Sequence, residues 1–487
     1  MKKLKKLDLS WNRFDGMLPT CLSNLKSLRE LDLSFNQFTG SVSSSLISNL
    51  TSLEYIHLGY NHFTGLFSFS SFANHSKLEV VALPSNDDNF EVETEYTTWV
   101  PKLQLKVLVL SRCNLNKLTG DIPKFLSHQA YLLQVDLSHN NLKGDLPNWM
   151  LENIRRLEYL DLRNNSFNGQ FPLPSYPNML LLSVDISKNN FSGLLQENFG
   201  EMLPCLEWLN LAENAFEGQI PPLIYNRFHG PIFSTQFNLP LLQVLLLDNN
   251  QFTGTLSGLL NCSWLTFLDI RNNYFSGEIP KWMHGMTNLR TLIMGNNSFH
   301  GRIPHEFTDV QECIHGINTK TCPKPEFLLT LDLGDNNLSG KIPHSIGQFS
   351  ELRFSGPIPH CFNNMTFGKR GANEFYAFFQ DLIFFFQRHY EYAVLQGPEP
   401  SSSMRGRNED PYLQYDPQDE VGFITKSRYS IYKGDILNFM SGLDLSSNDL
   451  TGRIPYELGQ LNSIHALNLS HNRLIGSIPR ISQNFTN

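Results

Sequence analysis

A chain of 487 residues with 41% apolar content is long enough to bury a large core. Its formal charge of −8, with neither a basic tail nor an acidic tract, argues against a polyanion such as nucleic acid as the main partner. No run of about 20 apolar residues occurs, which excludes a membrane-spanning helix within this chain; the nearest stretch, residues 375–386 (FYAFFQDLIFFF), is too short and carries Gln380 and Asp381.

From its first residues the chain repeats itself. MKKLKKLDLSWN has lysines but no apolar core of a secretion signal, and it reads as the middle of a repeat. The pattern is clearest near the end, where Leu443, Leu445, Asn448, Leu450, Gly452, Ile454 and Pro455 return 24 residues on as Leu467, Leu469, Asn472, Leu474, Gly476, Ile478 and Pro479. That period and the L-x-x-L-x-L-x-x-N/C-x-L core are those of leucine-rich repeats. Leu443 and Leu445 alternate with Asp444 and Ser446, so a short strand turns leucine inward and polar side chains outward. The asparagine then turns the chain, because its amide bonds backbone groups that have left the strand.

The turn residue recurs at Asn12, Asn36, Asn61, Asn86, Cys113, Asn140, Asn165, Asn189, Asn214, Asn250, Asn273, Asn297, Asn336, Asn448 and Asn472, mostly 23–27 residues apart. One such unit cannot bury its apolar face alone, whereas stacked units bury a continuous core. Spacing breaks mark the exceptions. Between Asn214 and Asn250 a turn motif at residues 226–232 (NRFHGPI) reads as a repeat whose strand is deleted; between Asn297 and Asn336 lies an insertion near 311–326; at 352–359 (LRFSGPIP) a turn motif again lacks its strand. These lesions predict local mismatches in the stacking and two or three weak seams. Cys113 stands at a turn position and reads as structural, whereas Cys313 and Cys322, nine apart in the insertion, are either a disulfide pair or two free thiols. With no C-x-x-C pair in the chain, a zinc site is not expected.

After the asparagine many units carry F/L-x-G-x-[IL]-P, as in LTGDIP (118–123), FSGEIP (275–280), FHGRIP (299–304) and LSGKIP (338–343). Glycine permits an otherwise strained backbone, and proline ends the segment without donating a hydrogen bond. This signature resembles the plant-specific class of extracellular leucine-rich repeats. The resemblance implies an α/β solenoid: a curved, twisted superhelix with a parallel β-sheet on its concave face and a second short strand in each unit.

Residues 362–435 break the repeat, and a gap of that length usually signals function or disorder. An entry of the form IP-x-C-x-N-N at 358–364, a non-repeat island, and a TKSRY…YKG…GLDLSSN exit resemble the island of plant receptor-like proteins, which join an extracellular repeat domain to one membrane helix and a short tail without a kinase. The expected organisation is therefore repeats over 1–361, an island over 362–435 and final repeats over 436–487. The family's secretion signal, cysteine-paired cap, acidic stretch and membrane helix are not found in these residues, so the sequence reads as an interior piece or a truncated product.

Outward strand positions form two columns. One contains Asp8, Asp32, His57, Asp136, Asp161, Asp185, Asn210, Asp269, Asp332, Asp444 and Asn468; its neighbour includes Tyr55, Tyr159, Trp208 and Phe267. Aromatics supply rigid contact area, so the columns are a candidate acidic, aromatic-studded ligand groove; against this, Asp is simply the consensus residue of LDLS. Adjacent carboxylates such as Asp136 and Asp161 would perturb each other's titration. The fifteen histidines, among them His57, His139 and His471, are scattered and read as solvated surface residues. Sequons occur at Asn49, Asn74, Asn164, Asn190, Asn261, Asn296, Asn337, Asn364, Asn468 and Asn484, and most are expected to carry glycans on a secreted chain, although the repeat itself generates some of the triplets. No G-x-S-x-G, Walker-type loop, H-E-x-x-H or kinase motif set is present, so no enzyme activity, cofactor or metal is expected.

The family resemblance implies a ligand-recognition ectodomain, or a piece of one, at the extracellular face of the plasma membrane. It would bind a peptide or microbe-derived ligand in defence or developmental signalling. A co-receptor kinase ectodomain would dock on the final repeats, 442–479, and an adaptor receptor kinase would carry the signal inward. Trp208, Phe267, Tyr159, Tyr429, Tyr432 and Lys433 are the candidate contact residues; the last three would otherwise dock the island on the solenoid. The alternatives are a secreted inhibitor of a cell-wall-degrading enzyme, against which the island argues, an intracellular scaffold, and a non-functional truncated relative.

Overall fold

The computed structural model describes residues 3–85, 88–95, 102–220, 238–286, 288–304, 330–343, 420–425, 428–433, 442–455, 458 and 466–478. They fall into two compact units, Met1–Thr253 with Ser257–Cys262 and Gly254–Leu256 with Ser263–Asn487.

Each unit is built on a ladder of three-residue strands. In the first unit it runs through Lys6–Asp8, Glu30–Asp32, Tyr55–His57, Val80–Ala82, Val107–Val109, Gln134–Asp136, Tyr159–Asp161, Ser183–Asp185, Trp208–Asn210 and Val244–Leu246. In the second it runs through Phe267–Asp269, Thr291–Ile293, Thr330–Asp332, Gly442–Asp444 and Ala466–Asn468. All neighbours are parallel and in register, the middle residue always apolar: Leu31 pairs with Ile56, Leu160 with Val184, Leu331 with Leu443. Except in the terminal strands, where Leu7 is half-buried and Leu467 exposed, these middle residues and the leucines two positions on, such as Leu33, Leu162 and Leu445, are almost wholly buried. The fold is the expected leucine-rich repeat solenoid, with little helix; its helical side is made of single turns such as Ser44–Ser48, which buries Leu46 and Ile47.

The turn asparagines do more than end a strand. Asn36 Nδ2 donates to Leu33 O and Ser34 O in its own turn and to Leu9 O of the preceding repeat, while its Oδ1 accepts the Phe14 N–H at 3.0 Å. Asn165 and Asn189 repeat the arrangement. Cys113 keeps one part of it: its thiol lies 3.0 Å from Leu110 O, and Asn140 Oδ1 accepts both the Cys113 and Leu115 N–H groups. The reading of Cys113 as a structural stand-in holds. Cys21, Cys113, Cys205 and Cys262 are free thiols, and Cys313 and Cys322 lie outside the described residues.

The segment after each asparagine forms a second strand. In the first unit Lys143–Asp145, Ser166–Gly169, Asn190–Leu194, Ala215–Gln219 and the start of Gln251–Gly254 pair in parallel; in the second, Ser298–Arg302, Asn337–Gly340 and Asp449–Gly452 do so. Behind them phenylalanines stack from repeat to repeat. Phe167, Phe191, Phe216 and Phe252 are buried with ring centroids 6.1–6.3 Å apart. In the second unit Phe275 and Phe299 stack at 6.4 Å.

The breaks in spacing do not interrupt these ladders. Trp208–Asn210 pairs directly with Val244–Leu246, and Asn250 Nδ2 reaches Leu211 O at 2.9 Å. Thr291–Ile293 pairs with Thr330–Asp332. Across the island the closure is the same: Asn448 Nδ2 donates to Leu333 O at 3.0 Å and its Oδ1 accepts Leu338 N–H at 2.9 Å. The expected mismatches are absent from these bonds. The motifs at 226–232 and 352–359 and the insertion at 311–326 are outside the described residues, as is most of 362–435. Within that last segment Glu420–Thr425 and Arg428–Lys433 form an antiparallel pair.

Asn448 thus joins repeats separated by 115 residues of sequence. Replacing it by Ala leaves the Leu338 N–H without its partner, at about 1–3 kcal/mol for a buried group left unsatisfied, while the carbonyls of Leu333, Leu445 and Ser446 lose one donor each and keep Asn336 Nδ2, Asn472 Nδ2 and the Asp335 N–H. We expect N448A to destabilise the second unit by about 1–3 kcal/mol, read as faster amide exchange at 333–338 and 445–450; unchanged exchange there would remove the asparagine from this role.

Candidate surface for ligand recognition

Alternation along the short strands sets two outward columns. The first position runs Tyr55, Val80, Val107, Gln134, Tyr159, Ser183, Trp208 and Val244 across adjacent strands of the first unit. Tyr159 and Trp208 therefore flank a small residue, Ser183. Two strand spacings, roughly 10 Å along the backbone, separate the aromatic positions; Ser183 between them is buried and Trp208 is half-buried. Tyr159 is buried and its phenol is pushed up by burial and by Glu158 and Glu207. Phe267 holds the same position in the second unit, beside Thr291.

The third position carries the acidic column, and the structure explains its consensus. Each Asp turns one oxygen back to the N–H two residues on, an Asx turn that ends the strand: Asp136 takes Ser138 at 2.9 Å, Asp185 takes Ser187 at 3.0 Å, and Asp444 takes Ser446 at 2.8 Å. The second oxygen faces the neighbouring strand. Asp32 Oδ2 accepts from Tyr55 Oη at 3.0 Å, Asp185 Oδ2 from Asn210 Nδ2 at 3.0 Å, and Asp444 Oδ2 from Asn468 Nδ2 at 3.0 Å. The column is not continuous, since Ala82, Val109, Leu246 and Ile293 interrupt it.

Stacking carboxylates in register changes their titration. Asp161 is pushed well above the usual carboxylate range by burial and by Asp136 and Asp185, against the opposing pull of Arg163, whose Nε lies 3.3 Å from Asp161 Oδ2. Asp269 rises to about 6 through burial, with Arg271 at 3.3 Å opposing it. Asp332 rises to about 7, from burial first and from Asp444 and Asp335, while the Gly334 N–H and Arg271 pull it down. His57 corrects the sequence reading: it is buried, not solvated, with Nδ1 3.8 Å from Asp32 Oδ2, and burial lowers its pKa.

Tyr429, Tyr432 and Lys433 lie on the antiparallel pair, opposite Ile424, Val421 and Glu420. Of the sequon asparagines, Asn49, Asn74, Asn190, Asn296 and Asn337 are exposed, whereas Asn164, Asn261 and Asn468 are half-buried; Asn364 and Asn484 are outside the described residues. Asn164 Nδ2 lies 2.7 Å from His139 Nδ1, and Asn468 Nδ2 is the group bonded to Asp444.

One feature escaped sequence reasoning. Trp11, Phe35 and Tyr60 occupy the residue before the turn asparagine, at φ 53–55°, and stack with centroids 3.9 and 4.3 Å apart. Bulky residues rarely adopt positive φ, but every described turn of this type adopts it whatever the side chain, from Lys188 to Ser447. The signal was in the alignment of repeats: three aromatics in consecutive units at one register position.

Among the described residues no cluster of His, Cys, Asp and Glu is fit to hold a metal ion, and no helix is long and apolar enough to cross a membrane.

Comparison with known proteins agrees with this architecture. The leucine rich repeat family model matches residues 1–38, and a second leucine rich repeat model matches 27–50, 156–176, 264–286, 288–310, 327–349, 440–461 and 463–485. Receptor-like protein 14 of Arabidopsis thaliana is 33% identical over 95% of this chain and 56% of its own length. Cuscuta receptor 1 of Solanum lycopersicum is 32% identical over 96% of this chain and 50% of its own. The chain thus spans about half the length of these two relatives. In fold it is similar to the plant peptide hormone receptor RGFR1, solved in complex with RGF2 (TM-score 0.59, 22% identity, 98% of this chain and 65% of that one). It is similar also to the Arabidopsis receptor kinase HAESA, solved with the peptide hormone IDA and the co-receptor SERK1 (TM-score 0.52, 24% identity, 97% and 67%).

Two measurements test this surface. A carboxylate whose folded pKa lies above its unfolded value favours folding below the unfolded pKa, near 4, and that contribution is lost as pH rises through about 7. D332N keeps an oxygen for the Gly334 N–H but does not titrate; it should melt a few degrees higher than the wild type at pH 7.5, with the gap closing at pH 4.5. A gap independent of pH would show that Asp332 is not held neutral. Separately, glycopeptide mapping of the secreted chain should find glycans at the exposed Asn74, Asn190 and Asn337 and none at Asn468, whose amide is committed to Asp444; full occupancy at Asn468 would contradict the hydrogen bond.

Proposed function

Since the chain belongs to the leucine-rich repeat receptor-like proteins of plants, we propose that it is a ligand-recognition ectodomain, or part of one, which works by binding without chemistry. The observation that carries this reading is the pair of aromatics, Tyr159 and Trp208, held two strands apart in one column of the parallel ladder. The two rigid aromatics give an extended peptide apolar contact area, and the third-position column beside them carries Asp161, Asp185 and Asn210. Because Asp161 is paired with Arg163 and Asp185 with Asn210, the surface presents oriented dipoles and little free charge.

The ligand is a peptide or a microbe-derived molecule. Solved proteins of similar fold bind peptide hormones, one of them together with a co-receptor, and this supports the same kind of partnership here: a co-receptor kinase ectodomain at the final repeats and an adaptor kinase across the membrane. Phe267 and the Tyr429, Tyr432 and Lys433 group are further candidate contacts. The site of action is the extracellular face of the plasma membrane, in defence or developmental signalling.

The test is a binding screen of the secreted chain against synthetic and microbe-derived peptides, followed by Tyr159→Ala and Trp208→Ala. Truncating a buried aromatic anchor costs about 2 kcal/mol or more, roughly thirtyfold in affinity. Trp264→Ala, which removes an exposed tryptophan outside the outward columns, should leave affinity unchanged. A hit whose affinity survives both aromatic substitutions would place recognition elsewhere.

A further inference from the structure

The second strand ladder of the second unit carries a charge pattern unlike the rest of the chain. The residue after the positive-φ glycine of each unit leans over the glycine of the next. A methyl on Gly340 would lie 3.0 Å from Arg302 Cγ; on Gly452, 3.1 Å from Lys341 Cγ; on Gly476, 3.0 Å from Arg453 Cγ. The missing Cβ atoms are the room these stems occupy, so glycine is required twice, for φ of 86–95° and for the close approach. Each stem is held along the ladder and its charged head projects from it. All three residues are exposed.

The equivalent positions in the first unit hold no cation; Met17, Ser41, Asp145, Gln170, Leu194 and Gln219 follow their glycines there, and in the second unit Thr255 and Glu278 precede the three cations in the column. Several cations on or beside the strands are neutralised: Lys6 by Glu30, Lys106 by Glu79, Arg163 by Asp161, Arg473 by Asp449. Arg302, Lys341 and Arg453 have no ion pair and no side-chain hydrogen bond among the described residues. Three consecutive unpaired cations repel one another, a cost that an anionic partner relieves.

We propose that Arg302, Lys341 and Arg453 form a docking strip for a linear polysaccharide bearing repeated carboxylates. Charge complementarity selects an anion, and the neighbouring side chains select its class. Beside the cations run His300, Ser339 and Thr451, with Ser339 Oγ bonded to Gly301 O and Thr451 Oγ1 to Gly340 O, which leaves their oxygens free to accept. Between the cations no large apolar side chain provides the desolvated anchor of a protein interface. A strip of cations and hydroxyls on a straight ladder matches a polymer of hydroxyls and evenly spaced carboxylates. Strand spacing of about 4.8 Å puts the three charges within about 10 Å. That is close to one Debye length at physiological salt, so they act together while the chain's net charge of −8 is largely screened. Net charge alone had argued against a polyanion; its distribution reverses that argument locally.

The test is binding of the full chain to polygalacturonate, a polymer of free carboxylates, at about 50 mM salt. The wild type should bind with a log–log salt slope no steeper than about −2, the value three neutralised charges would give on a single-stranded polyanion. Replacing Arg302, Lys341 and Arg453 by Gln should weaken binding tenfold or more, while Gln at the exposed Lys26, Lys77 and Lys102, the same change in charge, should not. Equal melting curves for the two triple variants establish that folding is intact. Wild-type failure to bind, equal binding of fully methyl-esterified polymer, or undiminished binding by the Arg302/Lys341/Arg453 variant each overturns the proposal. So does loss of an acidic protein partner by that variant without any polymer binding, which would assign the strip to a protein interface.

Discussion

The structure depends on one side chain used repeatedly: a buried asparagine that satisfies its own turn and bonds the repeat before it. A turn between a strand and an irregular segment leaves carbonyls and N–H groups pointing into the core, where each unsatisfied group costs about 1–3 kcal/mol. One amide meets three or four of these at once, as Asn36 does with Leu9, Leu33, Ser34 and Phe14. Because it bonds its spatial neighbour and not a fixed offset in sequence, the ladder is indifferent to what lies between. Asn448 reaches a repeat 115 residues away with the same geometry that Asn189 uses across 27. Long insertions are therefore thermodynamically tolerated, their closure entropy growing only slowly with length.

This constraint separates structural from recognition positions. Inward leucines, spine phenylalanines and turn asparagines are committed to the core. The first outward position has no backbone task, so it is free to vary, and it holds Tyr, Val, Gln, Ser and Trp in one column. The third position is partly committed, since its Asp oxygen ends the strand while the other oxygen remains for a neighbour. Charge at the third position is thus a by-product of the turn, and shape at the first carries the information.

Most of the fold was legible because its causes are local and repeated: alternating leucines, turn asparagines and the glycine–proline signature each announce their own geometry. His57 was misread because burial is not local. Its ring lies edge-on to Phe35 and Tyr60, contacts made by residues of adjacent turns that no single repeat contains. Irregular spacing in sequence is not irregular spacing in the ladder, since the strands on either side of each break meet in register; the motifs expected to leave weak seams lie outside the described residues. Of the candidate site, the placing of Tyr159 and Trp208 in one column was within reach of a register count, but the burial of Tyr159 and Ser183 depends on neighbouring strands that no single repeat contains.

The basic strip shows what composition conceals. A net charge of −8 describes the field far from the molecule, where screening erases it beyond about a Debye length. At contact distance the relevant quantity is which charges are already paired. On the first ladder acidic residues sit against arginines or turn N–H groups, and lysines against glutamates, so its formal charge is largely spent internally. On the second ladder of the second unit the glycines that shape the strand also fix the cation stems beside one another, with Glu278 as the one anion of that column among the described residues of the unit. The same repeat that cancels charge on one ladder concentrates it on another, and the two surfaces therefore select partners of different chemistry.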